Sequence, residues 1–190
     1  HVPKIQSKLL EYISRLLFSR SSTSLIPFSS DDCPSQTRDV QILDLALQVL
    51  GKYNFGEHNL NGIVWKCSQQ FLNHSSVAVR LSASMSVCQI LQRDIPFKSE
   101  NLEFLQLISS ILPNLIQLAV ADVDAKIRFS LIKSFVPVFD KILSFKKNIS
   151  TLLLALNDEN YDIQNEAVIV LGRLTSKNPA AVLPPLRKNL

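Results

Sequence analysis

Glycine is scarce in this 190-residue chain: there are four, and aromatic residues make up only 7%. Strand-rich folds depend on glycine-bearing turns and on aromatic and β-branched pairing, so these shortages argue against an all-β architecture. Long apolar runs are also missing. Stretches such as Leu152 to Leu156 fall far short of the ~20 residues needed to cross a bilayer, so no transmembrane segment is expected. Charge of one sign is missing too. The formal balance is +4, and the densest basic pairs, Lys146-Lys147 and Arg187-Lys188, are isolated, so a nucleic-acid stripe is not expected. The three cysteines, Cys33, Cys67 and Cys88, form an odd set without C-x-x-C spacing. That suits buried thiols in a reducing compartment better than a disulfide framework.

What is present is helical periodicity, and it recurs. From Ile163, apolar or small residues follow at Ala167, Val170, Leu171 and Leu174, offsets of 4, 7, 8 and 11 that trace one helix face. The same template at Ile127 meets Leu131, Ser134, Phe135 and Val138; at Val79 it meets Ala83, Ser86, Val87 and Ile90. A long polar side chain follows each anchor (Arg80, Arg128, Gln164), and seven residues earlier stand Leu72, Val120 and Leu156. The anchors are 48 and 36 residues apart, bracketing the ~40–47 residues of HEAT-type helical hairpins. Each hairpin has an apolar face it cannot cover alone, so neighbours stack and share a continuous core. Ala83 and Ala167 allow close helix approach. Asp122, Asp124, Asp158 and Asp162 suit the positive ends of the helices that follow them.

The fold expected is therefore all-α, an α-solenoid of stacked antiparallel hairpins forming one segment over residues 1–190. Residues 1–51 hold atypical helices (3–18 and 38–50) around a serine-rich loop at 19–36, with Gly51 at a left-handed C-cap. Hairpins follow at about 60–92, 99–139 and 148–176, and a further helix starts at 179–190 behind Asn178-Pro179. Pro113 should kink or split its helix. The chain begins at His1 and stops at "PPLRKNL", a helix still in progress, so it reads as an excised piece of something larger.

Chemistry is not evident. Gly51 and Gly56 have the spacing of a phosphate loop, but Glu57-His58 replace the Lys and Ser/Thr it requires. His1, His58 and His74 lack a companion at i+4, and Cys67 with His74 supplies two ligands where zinc needs more. Trp65, near Val64 and Phe71, is assigned to the hairpin core. The triplets Asn73-His74-Ser75 and Asn148-Ile149-Ser150 match the glycosylation pattern by chance, with no secretory signal before them. The serine-rich loop reads as a solvated linker, with phosphorylation as its regulatory alternative. No catalytic, cofactor-binding or metal-binding residue is assigned.

Specific residues resemble a known family. Ala155-Leu156-Asn157-Asp158, Ile163, Glu166-Ala167, Gly172-Arg173-Leu174, Asn178-Pro179-Ala180, Val182, Pro184 and Leu186-Arg187-Lys188 are similar to the N-terminal HEAT array of target of rapamycin (TOR) kinases. Upstream, Leu50-Gly51, Phe55, His58, Leu60, Val64, Cys67 and Phe71-Leu72-Asn73 are similar in the same order, as is Asp122 to Arg128. The likeness covers residues 38–190; the Phe55-Gly56-Glu57-His58 order, Pro113 and the serine-rich loop depart from it. The resemblance implies a scaffold segment of a large serine/threonine protein kinase whose ATP and magnesium sites lie outside these residues. It further implies Raptor-like or Rictor-like partners, a dimeric parent acting in nutrient and growth signalling, and a cytoplasmic location, extending to endomembranes or the nucleus. The alternative is a HEAT adaptor of another class, a nuclear transport receptor or phosphatase scaffold.

Overall fold

The computed structural model describes residues 2–18, 34–56, 58–98 and 100–189. Among them the chain is helical without a strand. The described residues form ten α-helices: α1 (Val2–Phe18), α2 (Pro34–Lys52), α3 (Asn61–Phe71), α4 (Val77–Lys98), α5 (Leu102–Ala121), α6 (Ala125–Ser134), α7 (Asp140–Leu143), α8 (Lys146–Leu152), α9 (Tyr161–Thr175) and α10 (Pro179–Asn189). Single 3-10 turns cover Pro137–Phe139 and Leu153–Asn157. The all-α reading holds. Two compact units, His1–Val87 and Cys88–Leu190, divide the chain within α4, and each is described by itself.

In the first unit α1 packs on α2, burying Ile13 and Leu17 together with Ala46, Leu47 and Leu50. Helix α3 buries Val64, Cys67, Ser68 and Phe71, a single stripe at helical spacing. The rings of Phe18 and Phe71 stack at 6.2 Å, with Lys66 Nζ 5.4 Å from the Phe18 ring. Ser82 and Ser86 of α4 turn their hydroxyls toward α2, donating to the Asp44 carboxylate and the Leu47 carbonyl. A serine at the registered face is thus a satisfied cross-helix donor, which makes Ser86 compatible with burial.

In the second unit α5 packs on α6, α8 on α5, α9 on α6, and α10 on α9. First helices lie on first helices and second on second, the arrangement expected of stacked hairpins. The registered positions Val79, Ala83, Ser86, Val87 and Ile90, then Ile127, Leu131 and Phe135, then Ile163, Ala167, Val170, Leu171 and Leu174 are buried, whereas Ser134 and Val138 are only half-buried because α6 ends at Ser134.

Local expectations differ in several places. The loop placed over 19–36 ends earlier, because α2 already begins at Pro34; residues 19–33 lie outside the described ones, and so does any reading of their serines or Cys33. Gly51 is helical and makes no left-handed cap. The positive φ belongs to Gly56, at 63°, where the Asn54 side chain accepts from its N–H. Pro113 does not split α5, which is continuous to Ala121. The carbonyl deprived of its donor belongs to exposed Ser109, where water can satisfy it. The break comes instead after Ser134, where Val136-Pro137 ends α6 and the chain turns into α7. Trp65 is not core: it is 42% exposed, since Val64 and Phe71 share the buried stripe and the next position rotates away from it.

Candidate interaction surfaces

The turn between helices repeats atom by atom. Five residues before each anchor, His74 Nδ1, Asp122 Oδ1 and Asp158 Oδ1 accept from the N–H two residues on, at 3.1, 2.9 and 2.9 Å. Asp124 and Asn160 then cap α6 and α9 by accepting from first-turn amides. The long polar residue after each anchor reaches back over the turn. Arg80 Nη1 donates to the His74 and Ser75 carbonyls at 2.9 and 3.0 Å. Arg128 Nη1 donates to the Asp122 carbonyl at 2.8 Å, and Gln164 Nε2 to the Asp158 carbonyl at 2.6 Å.

Arg128 also joins successive hairpins. Its Nε and Nη2 donate to the two Asp158 carboxylate oxygens at 2.7 and 3.0 Å, and Nη2 reaches Glu159 at 3.2 Å. The Arg128 and Asp158 side chains are only 8% and 4% exposed. Burial pushes the Asp158 carboxyl upward, yet the Arg128 and Asn160 hydrogen bonds outweigh it and hold the group below its ordinary 3.8. The hydrogen bond to Asp158 likewise holds Arg128 above its ordinary value.

Of the residues singled out for chemistry, His1 and Glu57 lie outside the described residues, and the described ones are not brought into a catalytic set. Cys67 is buried in α3, its thiol pushed up to about 12 by burial; Cys88 is pushed up to about 11, with a Ser134 hydrogen bond opposing. Both are poor nucleophiles and poor metal ligands in this state. His74 is a turn residue. His58 does meet a serine that sequence spacing did not reveal: its Nε2 lies 2.8 Å from Ser7 Oγ, with Nδ1 2.6 Å from the Phe55 carbonyl. Nδ1 donates to the Phe55 carbonyl and Nε2 shares a hydrogen bond with the Ser7 hydroxyl, so the imidazole ties α1 to the turn before α3. Its orienting group is a carbonyl rather than a carboxylate, and this is tethering geometry. Asn148 is buried and donates to the Ile142 carbonyl at 2.9 Å, so its triplet is closed to a glycan in the folded chain.

A groove opens where α6 stops short. Leu105 and Ser109 of α5 form one wall; Val138, Ile142 and Phe145 form the other, over a floor of Ile95, Phe104 and Ile108. Its volume is 320 Å³, at the low end of the ~300–1,000 Å³ of ligand sites. Among the described residues Lys141 is the one charged side chain lining it. The second wall is anchored from behind. Arg173 of α9 binds Asp140 at 2.9 Å and donates to the Phe135 carbonyl, and Asn178 donates to the Ser144 carbonyl at 2.9 Å. Ile142 and Phe145 lie outside the registered face, while Val138, assigned to that face, is turned to the groove instead because α6 ends at Ser134.

One helix, α5, is long and apolar enough to cross a membrane by length and composition. Its buried residues, from Phe104 to Ala119, instead build the core of the second unit. Among the described residues no group of three or more His, Cys, Asp or Glu side chains could hold a metal ion.

Repeated hairpins with capped turns and a buried Arg–Asp link define a helical-repeat protein of the HEAT type. No protein-family model matches the chain, but whole-sequence similarity does. It is 30% identical over 196 residues, 98% of its length, to serine/threonine-protein kinase tor1 of Schizosaccharomyces pombe. It is 29% identical over 202 residues to serine/threonine-protein kinase mTor of Drosophila melanogaster and 31% over 214 to serine/threonine-protein kinase TOR of Arabidopsis thaliana, all of the chain aligning in both. The chain belongs to the TOR kinase family, and it spans about 8% of the length of these relatives. It is not the catalytic domain: a protein kinase carries an essential lysine on a strand, whereas the described residues are helical throughout their regular structure.

Proposed function

We propose that the chain is a scaffold segment in the N-terminal helical array of a TOR-type serine/threonine kinase, shaping the complex and offering surfaces to accessory subunits of the Raptor-like or Rictor-like kind. The similarity of the whole chain to a stretch of TOR kinases, in a segment built of stacked hairpins, is the observation that carries this. ATP and magnesium would be handled by the parent's kinase domain, and the segment's work would follow the parent in the cytoplasm. Physical support comes from the way the interior is used. Its buried polar groups are consumed by turns and helix-to-helix links, which leaves outward-facing surface as the medium of function.

The test is competition. The purified 190-residue chain should displace the full-length kinase from its accessory subunits and should show no ATP turnover above that of buffer. Turnover by the chain, or failure to compete at any concentration, overturns the proposal.

A further inference from the structure

We propose that the groove between α5 and the Pro137–Phe145 segment docks a short amphipathic helix of a partner protein, one presenting bulky apolar side chains at helical spacing beside a carboxylate. This deepens the scaffold reading and rests on it.

The shape comes first. Leu105 and Ser109 line the groove four residues apart along α5; Val138, Ile142 and Phe145 line it at intervals of four and three on the opposite side. Two such ridges over an apolar floor match the i, i+3/4, i+7 anchors by which an amphipathic helix lies in a groove. Of its lining residues, Leu105 is 37% and Phe145 64% exposed. Bulky apolar groups held in water beside a recess are worth little to the fold and much to a ligand that covers them. The groove is also ready-made, because the Arg173–Asp140 pair and the Asn148 and Asn178 side chains hold its far wall, so little ordering cost falls on binding.

Charge then selects the occupant. Lys141 lines the groove and has no ion-pair partner among the described residues, whereas Lys98 is occupied by Asp94 at 2.7 Å and Asp140 by Arg173. Exposed Lys146 and Lys147 follow directly after Phe145. Glu103 on α5 falls in line with Gln106 and Ser110 and is not among the residues that line the groove, so the α7 side of the groove is positive. A partner with a carboxylate beside its apolar anchors is complementary to this. A second copy docking by two-fold symmetry is disfavoured, since it would bring two Lys141 side chains toward one another.

The probe is a designed, fluorescein-labelled peptide helix with leucines at i, i+4 and i+7 flanked by glutamates, together with a twin in which lysines replace the glutamates. Fluorescence polarisation with the 190-residue chain should show saturable binding of the glutamate peptide and roughly tenfold weaker binding of the twin. Leu105→Ser and Phe145→Ser alter exposed residues. Each should weaken the glutamate peptide by about tenfold while leaving circular dichroism and thermal unfolding unchanged. Lys141→Glu should invert the preference between the two peptides. Equal binding of both peptides, indifference to all three substitutions, or Leu105-dependent capture by phosphatidylcholine vesicles in place of the peptide overturns the inference. If these fail while the wild-type chain still competes for accessory subunits, only the groove is wrong. If peptide binding succeeds and competition fails, it is the scaffold reading that falls.

Discussion

Asp158 is the residue on which two hairpins meet. Its carboxylate takes both forks of Arg128 while also closing its own turn through the Asn160 amide. Removing one partner of a pair this buried leaves a guanidinium without compensation, at a cost of ~3–5 kcal/mol. Asp158→Ala should fall near the lower end, about 3 kcal/mol, because Glu159 and the Asp122 carbonyl still engage Arg128. The pH dependence has a definite sign. A carboxyl held below its ordinary value in the folded state contributes stability that is fully present above that value, 3.8, and lost as pH falls through the lower folded one. Urea denaturation of the wild type should therefore weaken in that acidic window, and Asp158→Asn should flatten this part of the profile. An unchanged slope in the asparagine variant would show that the link carries no proton-coupled stability.

At the scale of the element, α9 offers two opposed tests on one helix. Leu171 and Ala167 face the shared core and are fully and almost fully buried. Leu171→Ala should cost ~2–5 kcal/mol by opening a cavity. Ala167→Asp should cost at least as much, because it buries a carboxylate with no partner. Gly172 is exposed on the opposite side, with nothing within 4 Å of where a Cβ would stand. Gly172→Ala should stabilise by ~0.4–1 kcal/mol by restricting the unfolded chain. Chemical denaturation of the three variants checks all of this. Neutral outcomes at Leu171 and Ala167 would mean the registered face is misassigned.

The same helix shows why so much of the fold was legible. Offsets from Ile163 are fixed by helical geometry, so burial and the reach of Gln164 to the Asp158 carbonyl follow from spacing alone. Elsewhere spacing was not enough. Trp65 is adjacent in sequence to a buried position but lies about 100° round the helix from it, and its nearness to Val64 and Phe71 suggested core where its angle did not. The groove depends on α6 stopping at Ser134 and on Arg173 reaching back to Asp140 across 33 positions; the Ser7–His58 tether spans 51. Contacts at such separations have no periodic signature. Candidate site residues were hidden for the same reason: the groove's two walls come from segments about thirty residues apart and only the folded chain sets them face to face.

For the molecule as a whole, helical-repeat construction makes solution behaviour a question of uncovered faces. A hairpin in such an array presents apolar surface until a neighbour stacks on it. Helix α1 buries Ile13 and Leu17 toward its own unit but leaves Ile5 and Tyr12, seven residues apart on one stripe, 62% and 61% exposed. A net charge of only +4 supplies little repulsion to keep such stripes apart. The 190-residue chain should therefore associate reversibly with rising concentration in sedimentation velocity. The double substitution Ile5→Gln and Tyr12→Gln should return it to a monomer with unchanged helical content. Salt separates the causes: association through apolar stripes should persist or strengthen as ionic strength rises, whereas charge-driven association should fade. A wild type that stays monomeric throughout the concentration series would mean the stripe is no stacking face, and that α1 closes its side of the array instead of waiting for a neighbour.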